Sequence, residues 1–189
     1  MTQADLTRQR LARAALELFT TRGYHPTTTP LIAKKAGVAE GTIYRHFTTK
    51  QHLLNEVFRG AARWAQETVA DLAARPGTPQ ERLTAIARAL LDSTSRDPSV
   101  VRILLLVPHG DLLDERSRSA ERAFRAALEA VIAQGKAEGV VRPGGVEVWS
   151  ATWLGIVGLA AARVADKTWR PDDQSVALVI DAAWRAIAN

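Results

Sequence analysis

Helical periodicity runs through the whole chain and constrains its fold more than any other feature. A first apolar face has residues at i, i+3, i+4, i+7 and i+8, the pattern of one side of a helix: Leu11, Ala14, Ala15, Leu18 and Phe19. No segment shows a convincing alternation of β-branched residues, which is the pattern typical of strands. The sequence therefore predicts an all-α protein.

Proline and glycine divide this pattern into nine predicted helices. The second is expected to begin after Thr29 as its N-cap. The fourth is expected to begin with a capping box, because Thr48 and Gln51 have the required spacing. After the first helix, the predicted segments are about 30–36, 40–46, 48–74, 79–94, 98–107, 112–138, 146–168 and 173–188.

The positive charge is confined to one end of the chain. The formal net charge is +5, and residues 1–50 hold eight basic and three acidic side chains, which accounts for the whole excess. Residues 51–189 are balanced, with 17 of each sign. Such an asymmetry predicts an end that faces nucleic acid or a membrane surface, joined to a neutral body.

Composition excludes several classes of protein. The chain has no cysteine, so disulfide scaffolds, cysteine-ligated metals and thiol nucleophiles are excluded. Charges interrupt the apolar run 6–19, so no signal peptide is expected. The weakly polar stretch 148–162 falls short of the roughly 20 residues that a bilayer needs. We therefore expect a mature cytoplasmic protein without membrane contact.

Two short predicted helices flank the turn 37–39 and predict a helix-turn-helix, whose second helix lies in the DNA major groove. The residues around this turn resemble the N-terminal domain of the tetracycline-repressor (TetR) family over about residues 4–64. The resemblance rests on Leu18, Phe19, Gly23, Tyr24, Thr27, Thr28, Ile32, Ala33, Ala36, Gly37, Val38, Gly41, Thr42, Ile43, Tyr44, His46, Phe47, Lys50, Leu53 and Leu54.

The resemblance implies a nine-helix, all-α architecture with two domains. Residues 4–64 would form a three-helix DNA-binding domain, with the helix-turn-helix at about 28–47, and residues 65–189 an effector-binding and dimerisation domain. It further implies a homodimeric transcription regulator, usually a repressor, that a small molecule releases from a palindromic operator on double-stranded DNA.

The resemblance also assigns phosphate contacts, and the chemistry of each residue fits its role. Thr28, Tyr44, His46 and Lys50 can all donate to phosphate oxygens. At Gly41 the recognition helix is thin, which lets its backbone approach the duplex. The predicted DNA-binding set is Thr28, Thr29, Glu40, Gly41, Thr42, Tyr44, Arg45, His46 and Lys50.

Base contacts are predicted for Thr42 and Arg45, because threonine offers a methyl group to thymine and arginine pairs with guanine. A phosphate contact is the alternative for Arg45. Glu40 either accepts a hydrogen bond from cytosine or is an acidic residue favoured at a helix N-terminus. The chain departs from the family at Ala39, where serine is frequent and is a better N-cap. Departures at Pro30 also put DNA contacts from the second helix in doubt.

A stripe of small residues on the eighth helix and a similar stripe on the ninth predict a dimer interface, since small residues let helices approach closely. Ordinary packing inside one chain is the alternative. The predicted interface comprises Ala151, Gly155, Gly158, Ala162, Val176, Ile180, Ala183 and Ile187.

Tryptophan is frequent for a chain of this length, and large apolar side chains with one polar group suit the walls of a pocket. Core packing is the alternative for each of them. A mainly apolar effector pocket is predicted from Trp64, Leu105, His109, Phe124, Trp149 and Trp153. The resemblance implies that effector contact at Trp64 would tilt the fourth helix and displace the DNA-binding end.

An enzyme is not expected. The four histidines show no HExxH pairing, and the sequence contains neither a nucleophile elbow nor a phosphate-binding loop. No catalytic residue, metal or cofactor is predicted. A DNA-binding protein whose body binds a protein instead of a small molecule is the remaining alternative.

Overall fold

Four helices form the N-terminal end of the molecule. The computed structural model describes residues 2–189. The first helix ends two residues before Gly23, which has a φ of +87°, and the ring of Tyr24 packs 5.5 Å from that of Phe19. The four helices are α1 (Gln3–Thr21), α2 (Thr29–Ala36), α3 (Glu40–His46) and α4 (Lys50–Ala73).

Five more helices follow, so the described residues form nine α-helices and the predicted all-α fold is confirmed. They are α5 (Pro79–Arg96), α6 (Pro98–Val101), α7 (Glu115–Ala137), α8 (Val146–Ala165) and α9 (Gln174–Ile187). The helix predicted over 98–107 is only partly regular, because α6 passes after one turn into a π-helical segment, Arg102–Leu106. Helix α7 begins later than predicted, since Asp114 is its N-cap and accepts from the Ser117 N–H at 2.8 Å.

Two predicted N-caps were wrong by one residue. Thr28, not Thr29, caps α2, and Thr49, not Thr48, caps α4 by accepting from the His52 N–H at 2.9 Å. The Thr48 hydroxyl lies instead 3.2 Å from the His52 ring. Each cap lies in a run of threonines, so the side-chain spacing alone does not distinguish the neighbours.

Helix α4 joins the two ends of the molecule. It packs against α1 and, over a longer stretch, against α7. The buried side chains of both ends belong to one continuous core, whose largest members are Trp153, Phe19, Phe58 and Phe124. The predicted domain boundary at residue 64 therefore falls inside α4, and the division of the chain into two domains stays a prediction.

Helix α8 is longer than the apolar stretch seen in the sequence. By length and composition its 20 residues would suffice to cross a membrane, so the apolar segment is longer than the stretch 148–162 indicated. Core helices of soluble proteins meet the same criterion. One side of α8 packs on α5, α7 and α9, and Trp153 and Val157 are buried there.

Candidate nucleic-acid interface

The outer surface of α3 is polar and open. Glu40, Gly41, Tyr44 and Arg45 are exposed, while Ile43 points inwards and is buried. A Cβ atom at Gly41 would meet nothing within 4 Å. This helix therefore presents bare backbone at Gly41 and three exposed polar side chains, a surface that a DNA groove could approach closely.

The turn between α2 and α3 requires a glycine. Gly37 has a φ of +66° and ψ of 42°, a left-handed conformation that other residues adopt at a cost. Its carbonyl accepts a hydrogen bond from Arg10 Nη2 of α1 at 3.2 Å. At the start of α3, Ala39 makes no side-chain capping bond, as its sequence indicates.

A second arginine of α1 holds the other end of α3. Arg8 Nη1 donates to the His46 carbonyl at 3.1 Å, and its guanidinium lies 4.7 Å from the centre of the Phe47 ring. The same side chain pairs with Glu56 of α4 at 2.5 Å. Arg8 and Arg10 thus fix the recognition helix from behind. Sequence analysis missed both, because their partners lie 38 and 27 residues away.

Lys50 holds a loop instead of pointing to solvent. Its Nζ donates to the carbonyls of Tyr24 at 2.9 Å, Thr27 at 2.8 Å and His25 at 3.4 Å, and it lies 4.2 Å from the centre of the Tyr24 ring. A lysine has three donors, so none is free for phosphate in this geometry. Burial lowers the pKa of this ammonium group. In this geometry Lys50 positions the loop between α1 and α2, and a phosphate contact by its side chain stays a prediction.

Hydroxyl groups from α2 and α3 meet at the edge of the interface. The Thr29 hydroxyl lies 3.0 Å from the Tyr44 hydroxyl, and Tyr44 is 55% exposed. Thr28 is exposed but its oxygen accepts from the Leu31 N–H, and His46 is half-buried. Phosphate contacts by Thr28, Tyr44 and His46, and a DNA contact by Thr29, stay predictions.

Two of the three lysine and arginine side chains on the two short helices are free for DNA. Lys35 pairs with Glu17 at 2.6 Å. The side chains of Lys34 and Arg45 are exposed and make no ion pair or hydrogen bond within the described residues. Arg45 therefore stays available for the predicted base contact, and Lys34 is a further candidate that sequence analysis did not single out.

The two predicted interface stripes lie in different places. On α8, Ala151 and Gly155 are exposed, Gly158 and Ala162 are half-exposed, and a Cβ at either glycine would meet nothing within 4 Å. We call these four residues, with exposed Leu159, the α8 face.

The α9 stripe is not an interface, and that prediction was wrong. Its four residues are at most 5% exposed, because they form the inner side of α9 and pack against α8 and α5 of the same chain. They are Val176, Ile180, Ala183 and Ile187. Leu178 is a large apolar side chain on the outer side of α9 and is 61% exposed.

The residues predicted to form one pocket do not come together. Phe124 and Trp153 are buried core residues, and Trp149 packs at the far end of α8, 5.5 Å from the Arg142 guanidinium. Leu105 and His109 line a depression beside the π-helical segment. Of the six predicted residues, Trp64 is the one that lines the cleft between α1 and α4. Helical spacing indicated that these apolar side chains point inwards, but it did not indicate whether they line the same cavity.

A short recognition helix with a polar outer surface, braced by a preceding helix and mounted on an all-α body, defines the helix-turn-helix class of DNA-binding proteins. Residues 11–57 match the model of the bacterial regulatory proteins of the tetR family. The HTH-type transcriptional repressor KstR2 of Mycobacterium tuberculosis is 27% identical over 148 residues, which cover 75% of this chain and 72% of that protein.

Solved structures show the same fold. A TetR family transcription regulator from Marinobacter aquaeolei has a TM-score of 0.83 at 21% identity, over 98% of this chain and 97% of that one. FadR of Bacillus subtilis in complex with stearoyl-CoA has a TM-score of 0.73 at 21% identity, over 94% and 95%. Residues 11–57 thus place the DNA-binding end of the chain in the TetR family, and the relatives support a transcriptional regulator of that type.

Proposed function

We propose that this protein represses transcription by binding a palindromic operator as a homodimer in the bacterial cytoplasm, and that a small, mainly apolar effector releases it. The outer surface of α3 carries this proposal. It combines open backbone at Gly41, an unpaired Arg45 and half-exposed Thr42 on a helix that Arg8 and Arg10 hold in place. Groups that are fixed before binding lose little freedom when they meet DNA.

Dimerisation is supported by the α8 face. Two recognition helices must sit about 34–36 Å apart to reach successive turns of one side of the duplex, which one chain cannot provide. Small residues at Gly155 and Gly158 permit close approach of a second helix, and Leu159 adds exposed apolar surface at 53%. A two-fold axis through this face would bring Leu159 of each chain near its counterpart.

Release by a small molecule is supported by the relatives and by one cavity. A structural neighbour, FadR, binds stearoyl-CoA. In this chain a mainly apolar cleft of about 500 Å³ lies beside the DNA-binding helices. A coupling of about 1–3 kcal/mol, or roughly 5- to 150-fold in DNA affinity, is typical of allosteric pairs.

The alternative is a regulator whose body binds a protein. The burial of Phe124 and Trp153 in the core favours it, because it removes two walls from the predicted pocket. Under this alternative, operator binding is unchanged by small molecules and changes only when a protein occupies the exposed surface of the body.

Selection of bound DNA from a random pool, using the full chain with and without mixed metabolites, tests the proposal. We expect enrichment of an inverted repeat with half-sites about one helical turn apart, and loss of that enrichment with some metabolite fractions. Asymmetric or absent enrichment contradicts the operator proposal. Enrichment that no metabolite fraction reduces contradicts the effector proposal.

A further inference from the structure

A cleft of about 500 Å³ runs between α1 on one side and α4 with the α5–α6 junction on the other. This volume lies within the roughly 300–1,000 Å³ of small-molecule sites. Its α4 wall extends from Glu56 to Trp64, about 12 Å at 1.5 Å per residue. The opposite wall includes Leu16, and Val100 closes the α6 end. The cleft is thus elongated and mainly apolar.

The rim of the cleft carries an unbalanced positive charge. Arg8 pairs with Glu56 at 2.5 Å, and Arg13 pairs with Asp97. Arg96, which also lines the cleft, is exposed and makes no ion pair or hydrogen bond within residues 2–189. An arginine next to apolar surface is a suitable partner for a carboxylate, which it can bind in bidentate fashion.

A glycine in the middle of α4 keeps the cleft open. Gly60 faces it, and a Cβ at this position would meet nothing within 4 Å. Glycine inside a helix is about 1 kcal/mol less favourable than alanine. The helix is therefore less stable at Gly60 than it would be with alanine, at a position where a larger side chain would occupy the cleft.

The cleft also reaches the recognition helix. Phe47, the residue that follows α3, lines it, as does Arg8, whose guanidinium donates to the carbonyl at the end of α3. Both ion pairs across the cleft connect α1 to the body. A molecule in the cleft would touch these contacts directly, without a signal from elsewhere in the body.

We propose that the cleft binds an amphipathic organic anion with an extended hydrocarbon body, whose carboxylate pairs with Arg96 while its chain lies along Val57, Gly60 and Trp64. This inference rests on the proposed function, because it identifies the effector site and the chemical class of the effector. Binding separates α1 from the α5–α6 junction and weakens the hold of Arg8 on α3.

Titration calorimetry with dodecanoate and the full chain, without DNA, tests the site. Gly60→Phe fills the cleft and should weaken binding at least tenfold, whereas the matched control Gly60→Ala should bind within twofold of the wild type. Arg96→Gln should weaken binding roughly tenfold, as expected for a lost charged hydrogen bond, and Arg88→Gln, exposed on the same helix, should not. Dodecyltrimethylammonium, which has the same chain and the opposite charge, should bind more weakly than dodecanoate.

Several results overturn the inference: no binding of dodecanoate by the wild type, equal binding by Gly60→Phe, or equal affinity for the cationic amphiphile. Thermal unfolding of each variant shows whether a loss of binding reflects an unfolded protein. In folded Gly60→Ala, dodecanoate in the cleft should quench the fluorescence of Trp64, and this quenching should be absent when Trp64→Phe is added. Operator release is measured separately. If another effector releases Gly60→Phe as readily as the wild type, the proposed function stands and this effector site falls.

Discussion

The two surfaces on which the proposed function depends are built in opposite ways. The recognition helix α3 shows polar side chains to solvent, and cations behind it donate to backbone carbonyls. Arg8 bonds to the end of α3, Arg10 to the turn before it, and Lys50 to the loop between α1 and α2. The α8 face shows glycine, alanine and leucine, and a Cβ at Gly155 or Gly158 would meet nothing within 4 Å.

The difference shows what basic charge and apolar periodicity do and do not indicate. At the DNA-binding end, three of the eight basic residues brace the fold, so the excess charge overstates the number of DNA contacts. On α9 the regular apolar stripe is an inner side. On α8 the small residues remain outside the core, which supports the proposed dimer surface.

Disruption of the α8 face should have the largest effect. Gly158→Trp places a large side chain where close helix contact is proposed, and we expect the dimer to weaken by about 3 kcal/mol, roughly a hundredfold. The protomer should stay stable, since a Cβ there meets nothing within 4 Å. Sedimentation velocity measures the change, with Ala70→Trp, exposed on α4, as the control. A dimer that persists in Gly158→Trp contradicts the assignment of this face.

Removal of a bracing cation should reduce stability more than removal of a free one. Lys50→Met retains the aliphatic stem but loses three hydrogen bonds to carbonyls. We expect the free energy of unfolding in urea to fall by about 2 kcal/mol. Lys34→Met, at an exposed position, should change it by less than about 0.5 kcal/mol. If Lys50→Met is as stable as the wild type and lowers the salt dependence of DNA binding, Lys50 contacts phosphate after all.

Removal of a free cation should change DNA recognition and leave stability alone. Arg45→Ala should cost about 1–3 kcal/mol at one symmetric pair of operator positions, with unchanged unfolding in urea. Selection from a random pool measures the change in base preference. A uniform loss across sequences, with a salt slope reduced by about one, would identify a phosphate contact instead.

The smallest expected effect concerns the carboxylate of Asp97, which forms an ion pair with Arg13 of α1. Burial opposes ionisation of Asp97, but hydrogen bonds from Arg13 and the Ser99 N–H outweigh it, so the pKa of Asp97 lies below its ordinary 3.8. A carboxyl group whose pKa is lower in the folded state stabilises the protein at pH values above its ordinary pKa. This stabilisation is lost as the pH falls through the folded-state pKa.

Urea unfolding at a series of pH values tests this link. We expect the free energy of unfolding to decrease below pH 3.8, with a contribution from Asp97 of less than about 1 kcal/mol, since the pair is partly exposed. Asp97→Asn retains a side chain that can cap α6 and should flatten that part of the profile. An identical profile in the variant would show that the ion pair with Arg13 does not contribute.

Local sequence patterns predicted the helices well, but they did not predict which residues far apart in the sequence make contact. Glycine and proline located most helix ends, because their backbone preferences act within a few residues, as at Gly23 and Gly37. The bracing contacts of Arg10 and Lys50 join residues about 25 positions apart, and no sequence spacing signals them. For the same reason the sequence identified Trp153 as inward-facing but placed it in a pocket instead of the core.

The contacts behind α3 have a consequence for how operator preference can change over time. Arg8 and Arg10 secure the recognition helix through backbone carbonyls, which every amino acid carries. The outward side chains of Glu40 and Arg45 contribute little to that support. Substitutions at these positions can therefore alter the preferred DNA sequence while the helix keeps its position, so a duplicated gene could acquire a new operator without first losing its fold.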